Sequence, residues 1–248
     1  MGCGLKMRAA MTKECEGVTV ETMHPVHRLG PVFYASLPGD SETGKELLIA
    51  ALWDQVLATA SPPWNHCRSS SRAACQLQVV YGPLGRPCTR LGAYRGPAIS
   101  FSKGGGNVWA ALCGDESDIG IDVAGAADFQ REYPLHRVFH PEELHHALQV
   151  AGGDAAEAAA LLWSIKEAVV KALGCAFHLV DPRQINVYPA AAKTAGEDGG
   201  YTFPVGLSGK AQTRFPLAAG QTLLVRTLPR NRMWLSIAQV KRRSPGHE

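Results

Sequence analysis

The chain has 248 residues, of which 46% are hydrophobic and 19% charged, with a formal net charge of +3. This composition is typical of a soluble globular protein with a substantial core, and it excludes a largely disordered chain. The small positive charge does not indicate nucleic acid as a partner, although it suits an acidic protein or a phosphate-rich ligand. No apolar run is long enough for a membrane span or a signal peptide, and the seven cysteines form no C-x-x-C pair. A cytoplasmic protein with reduced thiols is therefore predicted.

The first half of the chain is predicted to combine several strands with one helix. Residues 1–28 show no clear period and are predicted to be a mobile extension, whereas residues 29–117 form the predicted N-terminal α+β half. From Ser41 the pattern turns helical, with apolar residues at helical spacing through residues 46–59. Runs rich in β-branched and aromatic residues predict strands at residues 32–37, 76–81, 98–102 and 108–113.

Three consecutive glycines separate the last two of these strands. Gly104, Gly105 and Gly106 fit the flexible tip of a hairpin. Backbone N–H groups that no side chain covers can also cradle an anion. Because Ser102 and Lys103 directly precede the glycines, a phosphate-binding loop stays open as a second interpretation.

An acidic residue interrupts the first strand predicted in the C-terminal half, residues 118–240. Alternation along residues 118–123 places three apolar residues on one face and Asp122 on the other, together with Gly120 and Ala124. Burying an acid in an apolar strand is unfavourable unless a partner pairs with it. An aspartate that caps a turn and one that binds a metal or ligand both fit this pattern.

A long helix is the most strongly patterned element of the sequence. Asp154 and Glu157 resemble a capping box, and Gly174 suits the residue after a helix end. These signals predict a helix over about residues 155–173, with a buried apolar stripe along one side.

A second strip on the same helix carries chemistry. Trp163, Glu167 and Lys171 are spaced at i, i+4 and i+8, which lines up an aromatic residue, an acid and a base. Taken alone, this strip indicates a solvated Glu–Lys pair. Its interpretation depends on what the fold brings opposite to it.

The remaining elements complete the second half. Residues 129–150 are predicted to be helical in two pieces, with Pro141 in a first turn. His136 and His140 have the spacing of a zinc pair, but no metalloprotease pattern surrounds them, which favours surface or packing roles. Residues 241–248 are predicted to be a solvated tail. Strands are predicted at residues 184–187, 221–228 and 233–240, so both halves fit one α+β chain of two comparable units.

Two of these stretches together resemble a family signature. Gly120–Val123 and Trp163–Lys171 resemble the motifs of the 4′-phosphopantetheinyl transferases, specifically those of the longer, monomeric Sfp-type branch. The resemblance extends over about residues 80–190 and implies two similar α+β halves related by a pseudo-twofold. Weaker matches follow the family's order: Gly85–Pro87, Ile99–Ser102, and Phe139 with Glu142–Leu144.

The resemblance implies a Mg²⁺-dependent enzyme. Such enzymes move the 4′-phosphopantetheine arm of coenzyme A to a serine of an acyl or peptidyl carrier protein in fatty acid, polyketide or peptide synthesis, and release 3′,5′-ADP. Asp122 and Glu167 match the family's metal carboxylates and are expected to hold one Mg²⁺. Glu167 is also the expected general base, directly or through water, while Lys171 stabilises the pyrophosphate or accepts the proton. Lys166 is expected to position the arm or the helix, and it is counted with the coenzyme-binding residues.

Two positions depart from the family pattern. Ala124 stands where many members have a second acid, so water or another side chain has to replace one ligand of the metal. Phe101 replaces a histidine near the phosphates of coenzyme A. Phosphate binding is therefore expected from Arg86, Ser100, Lys103 and Lys171, or from the cations Lys45, Arg68 and Arg72.

These departures leave two other classes of function open. One is a relative that binds coenzyme A or a carrier protein without transferring the arm. The other is a general interaction domain, which needs no cleft beside the long helix. A separation of more than about 10 Å between Asp122 and Glu167 would favour the interaction domain, since Mg–O bonds are only about 2.0 to 2.1 Å long.

Overall fold

The computed structural model describes residues 18–23, 29–39, 41–59, 64, 67, 77–82, 85–130, 133–193 and 199–241. The described residues confirm the predicted α+β class. None of their helices has the length and apolarity that a membrane span requires. In the first half the elements are β1 (Glu21–Met23), β2 (Val32–Pro38), α1 (Glu42–Ala58), β3 (Leu77–Tyr81), β4 (Pro87–Leu91), β5 (Tyr94–Arg95), β6 (Ile99–Gly104) and β7 (Asn107–Cys113).

The second half contains the largest sheet and most of the helices. Two short 3₁₀ turns, Ala126–Phe129 and Pro182–Gln184, connect its regular elements. These elements are β8 (Asp118–Gly125), α2 (Leu135–Val138), α3 (Pro141–Val150), α4 (Ala155–Ala172), β9 (Ile185–Val187), β10 (Ala192–Lys193), β11 (Tyr201–Leu207), α5 (Gly209–Arg214), α6 (Pro216–Ala219), β12 (Leu223–Arg230) and β13 (Met233–Val240).

The strands form three antiparallel sheets. One has the order β1-β2-β7-β6, another the order β10-β11-β12-β13-β8 with β9 also paired to β11, and the third the order β3-β4-β5. Helix α1 packs on the first sheet through Leu48, Leu52 and Val56. Other faces of the first two sheets meet in a shared core that includes Trp109, Ile121 and Leu235.

Strand β1 lies inside the segment that was predicted to be a mobile extension. That prediction is wrong for Glu21–Met23, which pair with β2. The Glu21 carboxylate accepts hydrogen bonds from Tyr34 at 2.8 Å and Arg230 at 2.5 Å, so strand pairing and charge both hold this segment. Residues 1–17 and 24–28 of the predicted extension lie outside the described residues, as do residues 242–248 of the predicted tail.

Strand β11 is not predicted by the sequence pattern. Its seven residues include Pro204 and Gly206, which weaken a strand signal. The strand forms because it has partners on both sides, β12 and β9. Pro204 has no N–H group to donate, but its carbonyl accepts the N–H of Tyr188 at 2.9 Å. Tertiary pairing therefore overrides the local preference here.

Two serines join the edge strands of the two larger sheets. Strands β6 and β8 each end their sheet, and they lie side by side. The Ser100 hydroxyl accepts the N–H of Ile121 at 3.1 Å, and the Ser102 hydroxyl accepts the N–H of Val123 at 3.2 Å. Side chains thus satisfy edge groups of β8 and place the residues of β6 next to it.

Glycine at the start of β8 allows helix α4 to lie directly on the strand. A Cβ atom on Gly120 would lie 1.9 Å from the carbonyl oxygen of Ala168. As predicted, the helix begins after Asp154, whose carboxylate accepts the N–H groups of Ala156 and Glu157, and it is followed by Gly174 at φ +74°. Because Gly120 and Asp122 share one strand face, the close approach also brings the helix to Asp122.

Candidate active site

Asp122 lies buried at the junction of β6, β8 and α4. Its Oδ1 atom accepts hydrogen bonds from the Ser102 hydroxyl at 2.8 Å and from the Lys171 ammonium at 2.7 Å. The ammonium also donates to the carbonyls of Ile121 at 3.1 Å and Phe101 at 3.3 Å. The buried acid on the strand is therefore paired, as its position requires.

The strip of Trp163, Glu167 and Lys171 is the open side of helix α4. These three are half-buried, whereas all the other residues from 158 to 172 are buried. All three line a cavity of about 370 Å³ together with Asp122 and Ala124. The structure thus brings the acid of the strand and the acid of the helix to one cavity.

Glu167 has a perturbed acidity. Burial, and after it the negative charge of Asp122, raises the pKa of the Glu167 carboxyl, while the Lys171 ammonium opposes that rise. A carboxyl with a raised pKa releases its proton at a pH closer to neutrality, which suits a group that exchanges protons during a reaction.

A second cavity of about 290 Å³ adjoins the first and carries positive charge. The two cavities share Ser102, Lys103 and Lys171. The predicted phosphate-binding residues that line the second cavity are Lys45, Arg86, Ser100, Lys103 and Lys171. Arg68 and Arg72, the other predicted cations, lie outside the described residues.

Arg86 is held in place at the end of helix α4. Its guanidinium contacts the Asp118 carboxylate at 3.1 Å and donates to the Ala172 carbonyl at 3.4 Å. Cys175 also lines the second cavity, and burial raises the pKa of its thiol to about 11, so the thiol is neutral near pH 7. The charge that this wall offers to an anion is therefore positive.

The triple glycine forms a hairpin tip between β6 and β7. Gly104 pairs with Asn107, so the loop has two residues, Gly105 and Gly106, with φ of +61° and +76°. Positive φ at both loop positions is the geometry of a tight hairpin that glycine favours. Two residues at the base of the hairpin, Ser102 and Lys103, line both cavities.

Lys166 lies elsewhere. Its side chain is fully buried and contacts the Glu143 carboxylate at 2.9 Å. It also donates to the carbonyls of Pro182 at 2.9 Å and Ile185 at 2.8 Å. Because Lys166 lines neither of the two cavities, its position supports the role of holding the helix and gives no support to contact with coenzyme A.

Two further residues line the cavity without any signal in the sequence. Asp128 and Phe129, from the 3₁₀ turn after β8, line the same cavity as Asp122. The N–H of Gly125 donates to the Asp128 carboxylate at 3.0 Å, which holds the turn against the end of the strand. Nothing in the spacing of the sequence indicates these two residues, because the turn of the chain alone brings them back to the cavity.

Three carboxylates line this cavity, those of Asp122, Asp128 and Glu167, and that of Asp128 already accepts the N–H of Gly125. Among the described residues no cluster of three or more His, Cys, Asp or Glu side chains could hold an ion. Two carboxylates nevertheless fit Mg²⁺, which usually keeps several waters and takes only one or two carboxylates. The donor set is oxygen alone, as a hard cation requires.

The sequence matches one family model. The family model of the 4′-phosphopantetheinyl transferase superfamily matches residues 118–204, about one third of the chain, which include Asp122, Glu167 and Lys171. A solved structure described as the Chronobacterium ammoniagenes ACPS-CoA complex is similar to this chain, with 20% sequence identity and a TM-score of 0.40. The match covers 52% of this chain and 100% of that chain. At that TM-score the structural likeness carries no argument. No curated protein matches the sequence.

Proposed function

We propose that this protein transfers the 4′-phosphopantetheine arm of coenzyme A to a serine hydroxyl of an acyl or peptidyl carrier protein and releases 3′,5′-ADP. The observation that carries the proposal is the convergence of Asp122, Glu167 and Lys171 on one cavity that adjoins a second, basic cavity. The family model supports it because its matched segment, residues 118–204, contains all three residues.

The cations that line the two cavities are the proposed binding groups for coenzyme A. Arg86, Lys103 and Lys171 offer positive charge to the phosphates of coenzyme A, and Lys171 lies where the two cavities meet. Phosphoryl transfer depends mainly on positioning and on neutralising charge, so this placement of cations is the main contribution of the protein.

Glu167 is the proposed base of the transfer. The serine oxygen of the carrier forms a bond to the phosphorus of the arm, and the bond from that phosphorus to the 3′,5′-ADP oxygen breaks. The serine proton passes to Glu167, directly or through water, and 3′,5′-ADP leaves with the bonding electron pair. A positioned carboxylate can serve as a general base.

A bound Mg²⁺ is part of the proposal. Asp122 and Glu167 would hold it, with waters and the pyrophosphate in place of the acid that is missing at Ala124. When bound, the ion would neutralise charge on the phosphoryl oxygens. We also propose that residues 29–117 and 118–240 are the two pseudo-twofold halves of an Sfp-type monomer that acts in the cytoplasm.

Mass spectrometry of a carrier protein tests the function. The carrier is incubated with coenzyme A, Mg²⁺ and either the wild-type protein or Asp122→Asn, and we expect the mass of one arm to be added only by the wild type. Asp54→Asn, an exposed change on α1, is the matched control and should transfer like the wild type. Coenzyme A that binds without any added mass, across carriers of fatty acid, polyketide and peptide synthesis, would refute the transferase and favour a binding relative.

A further inference from the structure

Ser102 makes two hydrogen bonds from one buried hydroxyl. It accepts the N–H of Val123 at 3.2 Å and donates to Asp122 Oδ1 at 2.8 Å. Its residue is 7% exposed, and it lines the cavity of Asp122 and Glu167 as well as the basic cavity. A hydroxyl has one hydrogen to donate and lone pairs that accept. Here the hydrogen goes to the carboxylate, and a lone pair accepts the strand N–H.

Ser100 shows which of these bonds the fold itself requires. It lies two residues earlier on the same face of β6 and accepts the N–H of Ile121 at 3.1 Å. Both serines therefore join β6 to β8 in the same way. The bond from Ser102 to Asp122 also runs from β6 to β8, and it is the one that ends on the carboxylate.

The two donors of Asp122 meet at one oxygen. Ser102 and Lys171 both bind Oδ1, so turning the carboxylate would cost two hydrogen bonds, one of them to a charged donor. Oδ1 is engaged by both donors, and Asp122 lines the same cavity as Glu167, so we assign Oδ2 to a cation there. Groups that orient a metal-binding side chain typically change metal affinity 10- to 100-fold when removed.

We propose that Ser102 is a positioning residue that sets the Asp122 carboxylate for a divalent cation. This inference rests on the proposed function, because that function assigns the cation to Asp122 and Glu167. A side chain of β6, in the first sheet, thereby orients the metal-binding carboxylate of β8, in the second sheet. One hydrogen bond in the site therefore connects the two sheets.

The test measures Mn²⁺ binding, which needs neither coenzyme A nor a carrier protein. Mn²⁺ is titrated into wild type, Ser102→Ala, Ser102→Thr and Ser100→Ala, and free Mn²⁺ is followed by electron paramagnetic resonance. We expect the dissociation constant of Ser102→Ala to rise about 10-fold or more. Ser102→Thr keeps the hydroxyl, so its dissociation constant should stay within about threefold of the wild-type value, a difference of under about 1 kcal/mol.

Ser100→Ala separates orientation from strand joining. It removes one bond between the strands, whereas Ser102→Ala removes two, so urea unfolding should show a loss of stability in both alanine variants that is larger for Ser102→Ala. The titration contains no coenzyme A, so the place of Ser100 in the basic cavity does not enter, and the affinity of Ser100→Ala for Mn²⁺ should match wild type. If Ser100→Ala weakens Mn²⁺ binding as much as Ser102→Ala, loosened strands explain the effect and the inference is wrong. Unchanged Mn²⁺ affinity in Ser102→Ala also overturns it.

These outcomes are independent of the outcome of the transfer assay. Transfer by the wild type together with full Mn²⁺ affinity in Ser102→Ala would leave the proposed function standing and refute the role of Ser102. Weakened Mn²⁺ binding in Ser102→Ala, restored in Ser102→Thr, with no transfer to any carrier would support the role of Ser102 and refute the transferase.

Discussion

The buried ion pair between Lys166 and Glu143 allows the sharpest test of how helix α4 is held. The two side chains are 0% and 5% exposed and 2.9 Å apart. The other contacts of the carboxylate are backbone N–H groups: His140 to Oε2 and Val187 to Oε1, both at 2.8 Å. The pair therefore links α4 to α3 and β9.

The expected cost of breaking the pair is large. Lys166→Met leaves the Glu143 carboxylate buried with two N–H donors but no opposite charge, and it removes the donor of the Pro182 and Ile185 carbonyls. Removing one partner of a buried ion pair typically costs about 3 to 5 kcal/mol. Glu143→Gln should cost less, because burial lowers the pKa of Lys166, so that this side chain can become neutral.

The pH dependence of Glu143→Gln follows from that shift. Burial favours the neutral lysine in the folded state, and the unfolded chain binds its proton more tightly. Above the pKa of the unfolded lysine both states are neutral and no penalty exists, whereas the penalty grows as the pH falls from that value towards the folded pKa. The Glu143 carboxylate opposes the effect of burial on the pKa of Lys166, so its removal lowers that pKa further than in the wild type and makes the penalty at pH 7 larger. The destabilisation caused by Glu143→Gln should therefore be smaller at pH 9.5 than at pH 7.

Urea unfolding at 25 °C is the assay, with free energies extrapolated to water. Glu157→Gln is the control on the same helix, because Glu157 lies 3.9 Å from an arginine, Arg232, that is 77% exposed. Such a surface pair should contribute under about 1 kcal/mol. In the double variant Lys166→Met with Glu143→Gln, we expect a loss smaller than the sum of the single losses.

Two results would refute this reasoning. One is a free energy of unfolding for Lys166→Met within the range of the Glu157→Gln control. The other is a double variant that is as stable as the wild type but no longer binds coenzyme A, since Lys166 would then contact the ligand. Normal binding by the folded double variant is the expected outcome.

Three further predictions concern the site and its support. Glu167→Gln should raise the melting temperature at pH 7 but not at pH 3, because the raised pKa of Glu167 means that its ionised form opposes folding and its protonated form does not; an equal gain at both pH values would contradict this. Gly120→Ala should lower the free energy of unfolding in urea by about 2 kcal/mol or more, because its Cβ would overlap the backbone of α4. Gly82→Ala is the control, because its Cβ would lie 3.7 Å from the nearest atom, the carbonyl oxygen of Arg86. An equal loss in both variants would exclude the overlap as the cause. Arg86→Gln should raise the KM for coenzyme A about tenfold, as expected for one charged hydrogen bond, whereas the exposed Arg137→Gln should not; equal KM values would remove Arg86 from the phosphate site.

Local signals predicted the elements that local chemistry stabilises. The long helix, predicted over residues 155–173, runs from Ala155 to Ala172, because an N-cap acid and a following glycine limit it. Strand β13 has the predicted bounds, because alternation and length suffice there. Strand β11 was missed, since its Pro204 and Gly206 are tolerated only through pairing with neighbours on both sides.

The candidate site was predictable in part for the same reason. Spacing alone placed Trp163, Glu167 and Lys171 on one strip, and alternation placed Asp122 on one strand face. That the strip and the face lie against each other follows from packing at Gly120, which no local pattern states.

Two lysines on one helix show the division between sequence and tertiary structure. The helical repeat makes Lys166 and Lys171, five residues apart, leave helix α4 in directions roughly 140° apart, because each residue turns about 100°. It could not determine which direction meets a cavity. In the folded chain α3 and β9 enclose Lys166 with Glu143, whereas β6 and β8 place Lys171 beside Asp122 at the meeting point of two cavities. The physical reason is that the surroundings of a side chain are set by elements far away in the sequence, and those surroundings make one lysine structural and leave the other for chemistry.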